Sequence, residues 1–207
     1  MRFVRRTFGF LVVCACFPVV LCWGAQSGRG PKGEVASILE RAMDVQTDPA
    51  LEGLQGRPKR ASLIRKLIDE NFLSSDMAAE ALGDLWKDLG PPQKEEFTEL
   101  FVELFQDSYT RMVLNFLRRE ELEYPEERVD GDKALVRTKI KRPNEHIPVD
   151  YHMVRKNGRW WIVDVDIDGV SIVGNYRNTF GRFLASQPLE RLLERMRLQR
   201  QAVREAF

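Results

Sequence analysis

The sequence predicts an α+β fold, in which a helical layer packs on one face of a twisted antiparallel sheet of about four strands. Three observations predict it. Apolar residues recur at three- and four-residue spacing from Ala61 to Leu117. From Leu122 to Ile167 they recur at every second residue, so each strand has one apolar and one largely polar face, as in an antiparallel sheet covered on one side. After Gly174 the helical spacing returns. Helices, then a run of strands, then helices is an α+β layout.

Composition narrows the class. The chain has 207 residues, 43% hydrophobic and 30% charged, with 32 Lys+Arg against 31 Asp+Glu and a formal net charge of +1. A disordered chain would be poorer in apolar residues and carry more net charge. A nucleic-acid binder of the basic kind would show a strong cationic excess.

The chain opens with Arg2, Arg5 and Arg6 ahead of an apolar run from Phe8 to Cys22, and no acidic residue appears before Glu34. A basic start, a short apolar core and a small-residue exit predict a cleaved secretory signal over residues 1–24, cut after Gly24. The run falls short of the roughly 20 apolar residues that span a bilayer. Arg5-Arg6-Thr7-Phe8 leaves a twin-arginine export address open beside the general route. All three cysteines (Cys14, Cys16, Cys22) fall in this segment, so the mature chain has neither a disulfide nor a thiol nucleophile. Three of the basic residues leave with it, so 29 basic residues remain against 31 acidic ones.

Residues 25–58 read as a loose leader, a short helix over Glu34 to Met43 and a connector holding two Pro and two Gly. Residues 59–207 read as one domain. Ala61, Leu63, Ile64, Leu67, Ile68 and Phe72 mark its first helix, and Met77, Ala81, Leu82, Leu85 and Trp86 its second. Gly90-Pro91-Pro92 breaks the pattern, and a proline at the first turn suits a new start. The longest helix runs from about Pro92 to Leu117, with Phe97, Leu100, Phe101, Leu104, Phe105, Tyr109, Met112, Val113, Phe116 and Leu117 on its apolar stripe. Its charge is expected opposite, on Lys94, Glu95, Glu103 and Asp107.

Asp130-Gly131-Asp132 and Asn157-Gly158 are turn signals between alternating segments. The alternation puts Val136 and Ile140, then Val149, Tyr151 and Met153, then Trp161, Val163 and Val165 on the apolar face. A short helix with Tyr176, Phe180 and Phe183 follows, and Pro188 opens a last one with Leu192, Leu193 and Met196. Its arginine-rich end is expected to fray.

Signals for catalysis are thin. Neither His146 nor His152 stands in a partner pattern, and no nucleophile elbow, zinc-helix, Walker or dinucleotide signature occurs. Asp164-Val165-Asp166-Ile167-Asp168-Gly169 matches the first half of a calcium loop. Asn175 stands where the bidentate Glu belongs, however, and the preceding residues read as strand. We therefore expect no catalytic residue, no metal and no cofactor. The large apolar residues of helices and sheet suit either a close-packed core or the lining of an irregular cavity, and the pattern alone leaves both open.

Two stretches carry a resemblance. One is Ala81-Leu82-Gly83, Trp86, Gln93, Phe97, Phe101, Leu104-Phe105 and Tyr109. The other is Trp161-Ile162-Val163-Asp164-Val165, Gly169-Val170-Ser171, Asn175-Tyr176-Arg177 and Phe180. In these, over residues 60–197, the chain resembles the MlaC family, the periplasmic phospholipid-carrier component of a lipid-transport system (the toluene-tolerance auxiliary family). Lys94 stands where that family usually has Arg, and Thr179 where it often has Gln.

The resemblance implies a non-enzymatic, periplasmic phospholipid carrier with an apolar cavity between helices and sheet and phospholipid as cargo. It implies partners in an inner-membrane ABC transporter complex, met through its MCE-domain subunit, and in an outer-membrane lipoprotein complex; nucleic acid is not one. The implied lipid-binding residues are Phe97, Phe101, Phe105, Tyr109, Met112, Val136, Ile140, Val149, Tyr151, Met153, Trp161, Val163, Val165, Val170, Ile172, Tyr176 and Phe180. Two other classes compete: a small exported enzyme of the nuclear-transport-factor type, which needs a polar dyad inside its pocket, and a lipid-free adaptor bridging two membrane complexes. Arg177 is expected to pair with a nearby aspartate or to meet a phosphate.

Overall fold

A computed structural model describes residues 29–205. The expected export signal over 1–24 lies outside the described residues.

Helix α1 (Pro31–Thr47) is longer than the sequence pattern suggests and belongs to the core: Val35, Leu39 and Ala42 are buried. Its Gln46 amide donates to the carbonyls of Val113 (2.9 Å) and Leu117 (2.8 Å), which ties α1 to the end of the long helix. The supposed connector is mostly ordered helix as well. Pro49 opens a single 3-10 turn, Pro49–Leu51, closed by the Asp48 carboxylate accepting from Ala50 N. Helix α2 (Gly53–Asn71) then runs through Gly56 and Pro58. Its burial of Ile64, Leu67 and Ile68 outweighs the local cost of those two residues.

Helix α3 (Ser74–Leu82) and the single turn α4 (Leu85–Asp88) lead to the 26-residue helix α5 (Pro91–Phe116). Pro91 and Pro92 sit where no backbone donor is needed, and the Gln93 side chain accepts from Gly90 N at 3.1 Å. Phe97, Leu100, Phe101, Leu104 and Phe105 are buried, as the stripe predicts. Asp107 is not on the solvated face as expected. It is 3% exposed and faces α2, whose Arg65 reaches it at 3.4 Å, while Arg111 pairs with it from one turn on. A buried carboxylate requires such partners, so at Asp107 helix α5 faces α2 rather than solvent.

The sheet has five strands rather than about four. β1 (Glu121–Asp130), β2 (Lys133–Arg142), β3 (Glu145–Lys156), β4 (Arg159–Ile167) and the two-residue β5 (Val170–Ser171) form an antiparallel meander in chain order. Gly131, Asn157 with Gly158, and Asp168 with Gly169 take positive φ in its turns. The last two pairs are the two-residue hairpin geometry that follows strand twist. The register slips between Glu123 and Glu126 on edge strand β1, next to Pro125, which lacks the donor a regular ladder needs.

A second slip decides which residues of β4 face inward. His152 pairs with Asp164, but Met153 pairs with Ile162, so Val163 is an extra, bulged residue. The buried residues of β4 are therefore Trp160, Ile162 and Val165. Trp161 and Val163, expected on the apolar face, are displaced from it. Trp161 instead lies under the Arg159 guanidinium, 4.3 Å from its ring centroid. Strict alternation cannot survive one inserted residue.

Across the inner face Val136, Tyr151 and Val165 form one buried row through β2, β3 and β4. Helices α6 (Ile172–Leu184) and α7 (Leu189–Glu205) complete the helical layer. The last helix is pinned for most of its length. Leu192, Leu193 and Met196 are buried, and Arg197 and Arg200 pair with Glu96 and Glu99 of α5.

Candidate functional site

A cavity of about 830 Å³ lies where the segment after β4 meets α5 and α7. Helix α5 supplies Phe105, Ser108, Tyr109 and Met112 to its wall. The β4–β5 turn region supplies Ile167, Val170 and Ser171, helix α6 Ile172, Tyr176, Phe180 and Phe183, and helix α7 Leu192 and Met196. Apart from Ser108 and Ser171 these are apolar or aromatic side chains, and no acidic residue is among them. Polar groups appear toward the exposed rim, with Asn175, Thr179, Arg182, Ser186, Arg195 and Gln199. Such an arrangement holds an apolar body and leaves a polar end in water.

Local chemistry sets the wall in place. The acidic run of β4 is an anchor for α6. The Asp164 carboxylate accepts from Val173 N at 3.0 Å and from the Ser171 hydroxyl, and Ser171 in turn accepts from Gly174 N at 2.7 Å. A carboxylate at the first turn satisfies free backbone donors and matches the helix dipole. Asp166 pairs instead with His152 at 3.0 Å, and Asp168 shapes the turn. Among the described residues no group of three or more His, Cys, Asp or Glu is placed to hold a metal ion.

Helix α6 is braced from its other side. Arg177 pairs with neither nearby aspartate. It reaches Glu80 of α3 at 2.6 Å and lies across Gly83, which takes φ +66° and where an added Cβ would sit 3.0 Å from the guanidinium. Aromatic contacts lock α6 onto α5: Phe101 with Tyr176 (centroids 5.1 Å apart), and Phe97 with Phe180 (5.6 Å).

Of the residues named from the sequence, Phe105, Tyr109, Met112, Val170, Ile172, Tyr176 and Phe180 lie on the cavity wall. Phe97, Phe101, Val136, Val149, Tyr151, Met153 and Val165 are core, each at most 5% exposed. Ile140 packs at the core's margin. The cavity is thus walled mainly by helices, with the sheet contributing its β4–β5 edge. Sequence reasoning passed over Ile167, Phe183, Leu192 and Met196. The signal was present: the stripe Ile172, Tyr176, Phe180, Phe183 continues at helical spacing on α6, and α7 repeats it.

The wall is electrically neutral at depth. Tyr109 faces the cavity yet lies deep enough that burial pushes its phenol well above the usual 10.0. It shares a hydrogen bond with Tyr151, which burial also raises. Burial raises Tyr176 and Tyr124 in the same direction. These are all four tyrosines of the chain. A phenol raised in the folded state costs nothing below its unfolded value, and stability falls as pH rises beyond it, because the unfolded chain ionises first. Near-ultraviolet titration of the native protein should therefore show little tyrosinate at pH 10.0, where a free phenol is half ionised. Ionisation should come together with unfolding at higher pH. Half-ionised tyrosines at that pH in a protein still folded by circular dichroism would contradict this packing.

Two comparisons with known proteins place the fold. The chain is similar to the solved structure of a phospholipid-binding protein from Ralstonia solanacearum, which was determined in complex with a phospholipid. The TM-score is 0.70 and the identity 18%, over 84% of this chain and 99% of that one. At that identity the likeness speaks for the fold. The sequence description of the family "MlaC protein" matches residues 36–198, which takes in most of α1, the whole sheet and most of α7. The chain belongs to the MlaC family.

Proposed function

We propose that this protein is a periplasmic carrier that holds a phospholipid by its acyl chains in the α5–α6–α7 cavity. The observation that carries the reading is the cavity itself, about 830 Å³, apolar at depth and polar at the rim. At roughly 30 Å³ for a methylene, taken as the share of liquid volume of one water molecule, that space takes one long acyl chain in full. Each methylene withdrawn from water is worth about 0.8 kcal/mol, so such a chain crosses an aqueous space only in shelter. The family membership and the phospholipid held by the Ralstonia protein support the same reading.

In this proposal the export signal over 1–24 delivers the chain, which collects or hands over lipid at an inner-membrane ABC transporter complex, through its MCE-domain subunit, and at an outer-membrane lipoprotein complex. No helix among the described residues is long and apolar enough to cross a membrane. The enzyme reading needs a polar dyad inside the cavity. The one His–Asp pair among the described residues, His152 with Asp166, involves no cavity residue. The geometry favours a binding and transport protein.

Native mass spectrometry of the mature protein, purified gently from its host, tests the reading. The expected result is a mass increment equal to a phospholipid, lost after delipidation and regained on exposure to phospholipid vesicles. A protein that carries no lipid and takes none from vesicles would contradict it.

A further inference from the structure

The arginines of the last two helices whose side chains are described divide into two sets. Arg177, Arg191, Arg197 and Arg200 each pair with a carboxylate, namely Glu80, Glu194, Glu96 and Glu99. Arg182 and Arg195, the two that line the cavity, take part in no ion pair among the described residues. Arg195 rests 5.8 Å from the ring centroid of Phe183, itself a cavity residue, so its guanidinium is held at the rim by an aromatic face. With no Asp or Glu in the lining, the cavity carries two formal positive charges and no carboxylate to pair with an ammonium.

We propose that Arg182 and Arg195 form a head-group clamp that selects phospholipids of net negative charge, such as phosphatidylglycerol, over zwitterionic ones. This rests on the carrier reading and names the class of cargo. The phosphodiester is common to both classes of lipid, and guanidinium groups bind it by charge-assisted hydrogen bonds. The discrimination lies beyond the phosphate. An ethanolamine ammonium would meet two cations and no acceptor of opposite charge, whereas a glycerol head adds hydroxyls that Asn175, Thr179 and Gln199 at the rim can bond. Both arginines are exposed, so solvent keeps the effect modest.

The test loads the delipidated full mature chain from vesicles holding equal amounts of phosphatidylglycerol and phosphatidylethanolamine with matched acyl chains. Bound lipid is then extracted and quantified. The expected result is an enrichment of phosphatidylglycerol of about three-fold at low salt, shrinking as salt is added. In the double variant Arg182→Gln with Arg195→Gln the bound ratio should return to that of the vesicle while the protein stays folded and loaded. Inorganic phosphate, compared with sodium chloride at the same low ionic strength, should leave lipid and enrichment no lower than the chloride does. Four results would overturn the clamp: a wild-type ratio equal to the vesicle's, enrichment that survives in the double variant, equal loss of both lipids in that variant, or displacement of the head group by phosphate alone. If the wild-type protein takes up neither lipid, the carrier reading falls, and this inference with it.

Discussion

Met112→Asp is expected to lower bound phospholipid at least about ten-fold, the equivalent of about 1.4 kcal/mol. The same change should leave the melting temperature within about 3 °C of the parent, as a shift under 1 kcal/mol implies for a domain of this size. Met112 stands on the α5 wall of the cavity and keeps accessible surface. Water can therefore hydrate a carboxylate at this position when no chain lies over it. Beside an acyl chain the same carboxylate loses its hydration and finds no counter-charge at that depth, a penalty of several kcal/mol. The two effects separate binding from folding. Met112→Leu, close in volume, should keep its lipid within about two-fold. Lipid counted per protein after extraction, with thermal circular dichroism alongside, reads both. A folded Met112→Asp protein that stays fully loaded would move the acyl chains elsewhere.

Phe101→Ala is expected to cost about 3–5 kcal/mol of stability, since a buried aromatic is replaced by a void. Phe101 is 1% exposed. Its ring lies 6.1 Å from those of Phe97 and Phe105, 5.1 Å from Tyr176 and 6.5 Å from Phe180. It thus joins α5 to α6 behind the cavity. A fall in melting temperature on the order of 10 °C should result. The size of the loss decides what Phe101 does. A ring that merely lines a cavity gives up little when truncated, because few atoms surround it on one side. A loss below about 1 kcal/mol would therefore return Phe101 from the core to the lipid site.

Much of this architecture could be read from periodicity. The stripe on α5, the switch from helical to alternating spacing at β1 and the Asn157-Gly158 hairpin all stand in the structure where the pattern puts them. What resisted reading was set by tertiary contact. Gly53, Gly56 and Pro58 suggest a connector, yet α2 holds because Ile64, Leu67 and Ile68 are buried by neighbours distant in sequence. Asp107 looks like a surface charge until Arg65 of another helix is brought to it. The bulge at Val163 inverts the facing of Trp160 and Trp161, and nothing in the local alternation of β4 marks it.

The site was half legible for a related reason. Helical spacing identifies which residues of α5 and α6 are apolar, but not whether they meet a neighbour or a void. The sheet residues Val136, Val149, Tyr151 and Val165 meet neighbours and fill the core. Those of α6 and α7 flank a gap between helices, and that gap depends on how Asp164 and Arg177 fix the angle of α6. The arginines show the same limit. Composition counts them, whereas only the fold separates Arg197 and Arg200, which are neutralised on α5, from Arg182 and Arg195 at the cavity rim.

The most direct measurement is a crystal structure of the protein loaded with a phospholipid whose acyl chains carry bromine. Anomalous scattering locates the bromine atoms without reference to how the lipid is built. The account predicts peaks inside the volume bounded by Phe105, Met112, Tyr176, Phe183 and Met196. Bromine bound on another face of the molecule, with that volume free of it, would contradict the account.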